Sequence, residues 1–114
     1  MSAPDPVTFE RTLAALRAEI DRIDDALLPL LEARARLAVA LGELKRGAGR
    51  PLRDTPREAE ILARLEPALE TLTPEDLTSV YRAVMSMCLA VQTRAVDGSA
   101  PREPPASDPA ASPR

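Results

Sequence analysis

Arg34 and Lys45 stand eleven residues apart. On an α-helix that is close to three whole turns, so the two cations face the same way, about 16 Å apart along the axis. Two long side chains leaning together can hold a small anion between them. A guanidinium suits a carboxylate best, because its planar fork donates two parallel hydrogen bonds. The position of Arg34 sharpens this reading. Leu13, Leu16, Ile20, Ile23, Leu27 and Leu30 step along the chain by threes and fours, and the line resumes at Leu37, Leu41 and Leu44. This is a heptad stripe, and Arg34 fills the slot between Leu30 and Leu37. A guanidinium buried on such a seam needs a partner or costs several kcal/mol. The seam supplies no carboxylate. Asp24 is ten residues away, roughly 15 Å along the same helix and out of reach. A solvated guanidinium is the ordinary alternative, and a bound anion is the reading favoured over it.

The element that positions these residues is a first helix of about 40 residues, spanning roughly 60 Å. Asp5 with Pro6, or Thr8, caps its start, and it runs to about Arg46. An apolar seam of that length needs a partner for its far half, and a second copy of the same helix provides one. Arg17 and Arg34 are about 25 Å apart on one chain, too far to share a small ligand. In an antiparallel pair crossing near Asp24 to Leu27, however, Arg17 of one copy lies opposite Arg34 of the other. Two identical cationic pockets result, each drawing on both chains. Pro29 falls inside this helix. A kink is expected there rather than a break, because the heptad phase continues on both sides.

Punctuation divides the rest. The segment "RGAGRP" ends the first helix with two glycines and a proline. In "DTPREAEILARL", Thr55 at the N-cap, Pro56 at N1 and Glu58 at N3 form a capping box that opens a second helix. Thr73, Pro74 and Asp76 repeat the device for a third, which carries Leu77, Val80, Tyr81, Val84, Met87, Cys88 and Val91 on one side. From Val96 to Arg114, five prolines and no large apolar residue beyond Val96 suggest a disordered tail, leaving residues 1–95 as the folded domain.

Composition fits an all-α chain. Hydrophobic residues make up 45% of the 114, yet Phe9 and Tyr81 are the sole aromatics, which favours helices packed on helices over sheets. A net charge of −3 without a basic run argues against nucleic acid. One cysteine, Cys88, excludes an internal disulfide and fits a reducing compartment. No apolar run approaches a membrane span or a signal peptide, so a cytoplasmic location is expected.

The other candidates have ordinary roles open to them. Lys45 taken alone reads as a solvated surface lysine. Glu58 has a complete structural role as the N3 residue of a capping box. Gln92, one turn from Cys88 on the third helix, reads alone as plain surface.

Together these positions stop looking independent. Over about residues 9–94 the chain resembles the all-helical (type II) chorismate mutases. The resemblance rests on "LRAEIDRID" (16–24), "LLEARARLAVALGELK" (30–45), "RPLRDTPREAEIL" (50–62) and "VYRAVMSMCLAVQ" (80–92). The middle two are specific: an arginine on the seam, a lysine eleven later, then an R-P-x-R-D-x-x-R-E block. The resemblance implies a three-helix protomer with one very long first helix, in an intertwined antiparallel homodimer with shared active sites. It implies conversion of chorismate to prephenate without cofactor or metal. Arg34, Lys45, Asp54, Arg57, Glu58, Cys88 and Gln92 then share one pocket, with Arg17 supplied by the other protomer. Cys88 departs from the serine often found at its position, and a thiol replaces a hydroxyl hydrogen bond poorly.

The implied chemistry accounts for a charge on the seam. Chorismate is a dianion whose enolpyruvyl arm must fold over its ring. The rearrangement is intramolecular and needs no nucleophile or general base. What helps is a site that fixes the compact conformer and stabilises charge on the ether oxygen as its C–O bond breaks. Arg17 and Arg34 suit the carboxylates, Lys45 and Gln92 donate to the ether oxygen, and Glu58 accepts from the ring hydroxyl. Isochorismate-pyruvate lyases and aminodeoxychorismate mutases resemble the same scaffold. A non-catalytic helical regulatory module, docking on a shikimate-pathway enzyme, is the reading outside enzymes.

Overall fold

The structure, a computed structural model, describes residues 3–99. Helix α1 runs Pro6–Gly47, α2 Thr55–Leu65 and α3 Pro74–Ser99, with a 3-10 turn at Glu66–Ala68 after α2. Among the described residues there is no strand. The all-helical, three-helix expectation is met. The chain divides into two units, one ending at Ala33 and the other beginning at Arg34.

In the first unit α1 begins at an Asp5 cap. The Asp5 carboxylate accepts from the Thr8 backbone N–H at 3.0 Å and from its hydroxyl at 2.8 Å, satisfying one of the donors a helix start leaves unpaired. The helix passes through Pro29 unbroken. Leu16, Ile20, Ile23, Leu27 and Leu30 are all exposed, by 46–66%.

In the second unit α1 ends at a left-handed residue. Gly49 has φ +68°. The Arg50 N–H reaches back to the Lys45 carbonyl at 2.8 Å and the Gly49 N–H to the Arg46 carbonyl at 3.0 Å. This is the paired closure of a Schellman motif, which needs a residue without a Cβ at the left-handed position. Of the two glycines expected to stop the helix, Gly49 does so, while Gly47 remains helical.

Helix α2 departs from expectation at its start. Its N-cap is Asp54, whose carboxylate accepts from the Arg57 N–H at 3.0 Å. Thr55 is therefore the first helical residue and not the cap, and Glu58 lies beyond N3. The preceding aspartate caps at least as well as threonine and moves the frame by one residue. Helix α3 opens as expected. The Thr73 hydroxyl accepts from the Asp76 N–H at 3.1 Å, and the Asp76 carboxylate accepts from the Thr73 N–H at 3.0 Å. At its far end α3 continues through Val96 to Ser99, into the stretch expected to be tail. The rest of that stretch, residues 100–114, lies outside the described residues.

The core of this unit is small. Ala38, Gly42, Ile61, Leu77 and Cys88 are buried, and so is one polar residue, Gln92. On α3 the buried line is Leu77, Cys88 and Gln92, with Tyr81, Val84 and Val91 half-buried beside it. Val80 and Met87 fall outside it.

Candidate functional site

Within the second unit a cleft of about 300 Å³ opens between the helices. Arg34, Leu37, Ala38 and Leu41 of α1 form one wall, Arg57, Glu58 and Ile61 of α2 another, and Met85, Cys88, Leu89 and Gln92 of α3 the third. The loop residues Leu52, Arg53 and Asp54 close one end. Helical spacing explains how each wall presents its polar groups. Arg34, Ala38 and Leu41 recur on one face of α1, Asp54, Glu58 and Ile61 on one face of α2, and Cys88 and Gln92 lie one turn apart on α3.

Six of the expected site residues thus line one cleft: Arg34, Asp54, Arg57, Glu58, Cys88 and Gln92. Arg34 is half-buried, and its Nη1 donates to the Cys88 sulfur at 3.0 Å. Among the described residues it makes no ion pair. The cleft's other two arginines are occupied: Arg53 Nη2 stands 3.3 Å from the Glu58 carboxylate, and Arg57 pairs with Glu60 one turn along. Arg34 is accordingly the cleft's cation with charge to spare.

Glu58 has no capping duty, since Asp54 holds that place. Its side chain is largely sheltered, whereas Arg53, which donates to it, is mostly exposed. Gln92 is 6% exposed. The surface reading of this residue does not hold, because α1 approaches it at Gly42, where a glycine leaves room for the glutamine side chain. No hydrogen bond to its amide is present among the described residues. A buried amide without a partner is costly, and a ligand in the cleft would relieve that cost.

Lys45 stands at the margin. Its Nζ donates to the Leu52 carbonyl at 3.0 Å, and it lines a shallow hollow that adjoins the cleft and shares Arg53 and Asp54 with it. Arg17 is an exposed residue of the first unit. The second unit by itself brings together a guanidinium with no carboxylate partner among the described residues, a thiol bonded to it, a buried amide and a carboxylate. That set can hold a small carboxylated molecule and donate to a polar atom at its centre.

The family chorismate mutase type II matches residues 16–93. The chain belongs to this family. It is 38% identical over 87 residues to the bifunctional chorismate mutase/prephenate dehydratase of Aquifex aeolicus, covering 72% of this chain and 24% of that protein. The enzyme of the same description from Escherichia coli K12 is 46% identical over 59 residues, 52% of this chain and 15% of that protein. A 3-dehydroquinate dehydratase of Pyrobaculum aerophilum is 36% identical over 80 residues, 70% of this chain and 24% of that protein. The chain spans about a quarter of the length of these relatives or less. The matched stretch holds the whole cleft, Arg34 to Gln92. No helix among the described residues is long and apolar enough to cross a membrane.

Beyond the apolar lining, two polar contributors to the site were not foreseen. Arg53 lies in the R-P-x-R-D-x-x-R-E block and could have been suspected from its place five residues before Glu58. The Leu52 carbonyl has no counterpart in residue type, because a backbone acceptor leaves no mark in the sequence.

Proposed function

We propose that this chain rearranges chorismate to prephenate in the cleft between its helices. The observation that carries the reading is Arg34: a half-buried guanidinium without a carboxylate partner, opposite a buried amide without a hydrogen-bond partner. Substrate supplies both needs. A carboxylate of the substrate takes the Arg34 fork, and the Gln92 amide donates to the ether oxygen. In the reaction the ether C–O bond breaks and a C–C bond forms within the same molecule, so no atom enters or leaves. Catalysis then consists of holding the folded conformer and stabilising the oxygen that gains charge. Glu58 accepts from the ring hydroxyl, and the Asp54 backbone and Arg57 stand beside it. Lys45 turns from the Leu52 carbonyl toward substrate to share the donation to the ether oxygen. Cys88 holds Arg34 through its sulfur.

The proposal includes a second copy. The exposed leucines and isoleucines of the first unit form an apolar line, and such lines mark interaction surfaces. An antiparallel homodimer buries them and brings the partner copy's arginine, equivalent to Arg17, to each pocket as its second carboxylate clamp.

The decisive experiment is chorismate consumption by the purified protein with the product identified. Prephenate is expected; pyruvate release, an amino-substituted product from aminodeoxychorismate, or no turnover would replace the reading. Sharing of the pocket has its own test. Arg17→Ala and Arg34→Ala should each nearly abolish turnover. Co-refolded at equal concentration, they should recover about a quarter of the pockets, because half the dimers are mixed and each mixed dimer has one complete site. Mixed dimers without recovered activity would place both arginines in one chain. For Gln92, exchange to glutamate should move the activity optimum to acid, since a carboxyl donates only when protonated.

A further inference from the structure

Gly42 lies buried in the interior of α1, where glycine weakens a helix relative to alanine. A Cβ built there would stand 3.2 Å from both Cβ and Cγ of Gln92 and 3.6 Å from its Cδ. The first two distances are tighter than ordinary carbon contacts of about 3.5–4.0 Å. The glycine therefore sets how closely α1 and Gln92 approach. What Gln92 touches matters more than usual, because no hydrogen bond among the described residues fixes its amide. Packing alone aims it. One face of that packing is the bare backbone at Gly42, and Gln92 also lines the cleft.

We propose that Gly42 is a positioning residue for catalysis: by lacking a side chain it seats Gln92 so that the amide already points into the cleft before substrate arrives. The inference rests on the reading of Gln92 as the donor to the substrate's ether oxygen. A methyl group at position 42 pushes Gln92 at its Cβ and Cγ. A displacement of a few tenths of an ångström near the root is enlarged at the amide, two bonds further out. An interaction made mainly as the C–O bond breaks is then weakened, while the arginine contacts that bind the carboxylates are left alone. The signature is a loss in kcat with KM kept.

Gly42→Ala tests this. Its kcat should fall about tenfold, in line with the steep cost of misplacing a catalytic group by a fraction of an ångström, with KM within about twofold of wild type. In a Gln92→Ala background, which removes Cγ and the amide, the same substitution should change kcat by less than about twofold. Equal losses in both backgrounds, or an unchanged kcat in a folded Gly42→Ala protein, overturn the proposal. A wild-type protein without activity on chorismate overturns instead the functional reading beneath it. A measurement on the unaltered chain covers the case in which Gly42→Ala fails to fold. The side-chain NH₂ of Gln92, followed by ¹⁵N relaxation in the ligand-free protein, should be as rigid as the α3 backbone. Mobility like that of an exposed glutamine shows that nothing pre-sets the amide, and the proposal fails.

Discussion

The starts of helices α2 and α3 share one pattern, Thr-Pro with an acidic residue three after the threonine, in Thr55-Pro56-Arg57-Glu58 and Thr73-Pro74-Glu75-Asp76, and use it differently. At α3 threonine and aspartate cap one another reciprocally, and both side chains are consumed in closing the helix end. At α2 the residue before the threonine is Asp54, which takes the cap itself. The frame moves by one residue, and Glu58 is released from the helix end into the cleft, where Arg53 meets it. A capping pattern therefore does not fix its own register. The neighbour on its N-terminal side decides whether the acidic residue serves structure or chemistry.

The largest expected effect follows from that division. Glu58→Ala should lower kcat/KM by about a hundredfold, the range found when one positioned hydrogen-bonding group is removed from an active site, with little change in melting temperature. Asp76→Ala should do the reverse. Its kcat/KM stays near wild type while stability drops by about 1 kcal/mol, some 4–8 °C in a domain of this size. Steady-state kinetics and thermal melts on both variants make the comparison. A Glu58→Ala protein that melts early and turns over normally would return Glu58 to a structural role.

Next in size is the contrast between the threonines. Thr73→Ala removes a cap hydroxyl and should cost about 1 kcal/mol, whereas Thr55→Ala, inside the first turn of α2, should stay within about 0.5 kcal/mol. Urea midpoints at constant m-value measure both. Equal losses would mean that Thr55 shares the cap with Asp54.

The three helices were legible because their boundaries depend on local chemistry: Thr73 caps where it was expected to, Asp5 is the one of two expected caps that closes the start of α1, and a glycine in "RGAGRP" reverses the chain. Arg34 was legible from its slot on the apolar seam, whereas Asp54, Arg57, Glu58, Cys88 and Gln92 were expected beside it only through the family resemblance; all six line the cleft. What could not be read depends on how segments meet. The Lys45–Leu52 hydrogen bond needs the chain to turn back at Gly49, and its acceptor is backbone. The burial of Gln92 depends on how closely α1 passes at Gly42, a tertiary distance that residue types do not encode. The α2 cap was misplaced by one residue because two adjacent residues, Asp54 and Thr55, are both good caps and differ little in free energy.

A smaller effect separates charge from shape at Asp54. Asparagine caps about as well as aspartate, so Asp54→Asn should hold stability to within a few tenths of a kcal/mol. If the substrate contact at this position is made by the backbone, the variant should also keep kcat/KM within a few-fold. Asp54→Ala loses the cap and frays the first turn of α2, which carries Arg57 and Glu58, so its kcat/KM should fall further. Similar activities for the two variants would mean that the cap does not help to place Glu58.

The smallest effect belongs to the third cap. The Thr8 backbone N–H, followed by the Thr8 hydroxyl, holds the Asp5 carboxyl below its ordinary value of 3.8. A carboxyl with a depressed folded-state pKa adds stability that is fully present above its unfolded value and is lost as pH falls through the folded one. Asp5 is fully exposed, so solvent screens the gain and the slope should be shallow. The measurement is an NMR titration from about pH 6 down to pH 2. The Asp5 carboxyl carbon should titrate below the same residue in an unfolded peptide, and the Thr8 amide proton should move with the same midpoint as its hydrogen bond is lost. Asp5→Ser keeps a side-chain acceptor at the cap but has nothing to titrate, so its melting temperature should approach that of wild type as the solution becomes acidic. An Asp5 midpoint at or above the ordinary value, or a Thr8 amide that does not follow it, would show that the N-cap bond is not formed in solution and that α1 starts later than Pro6.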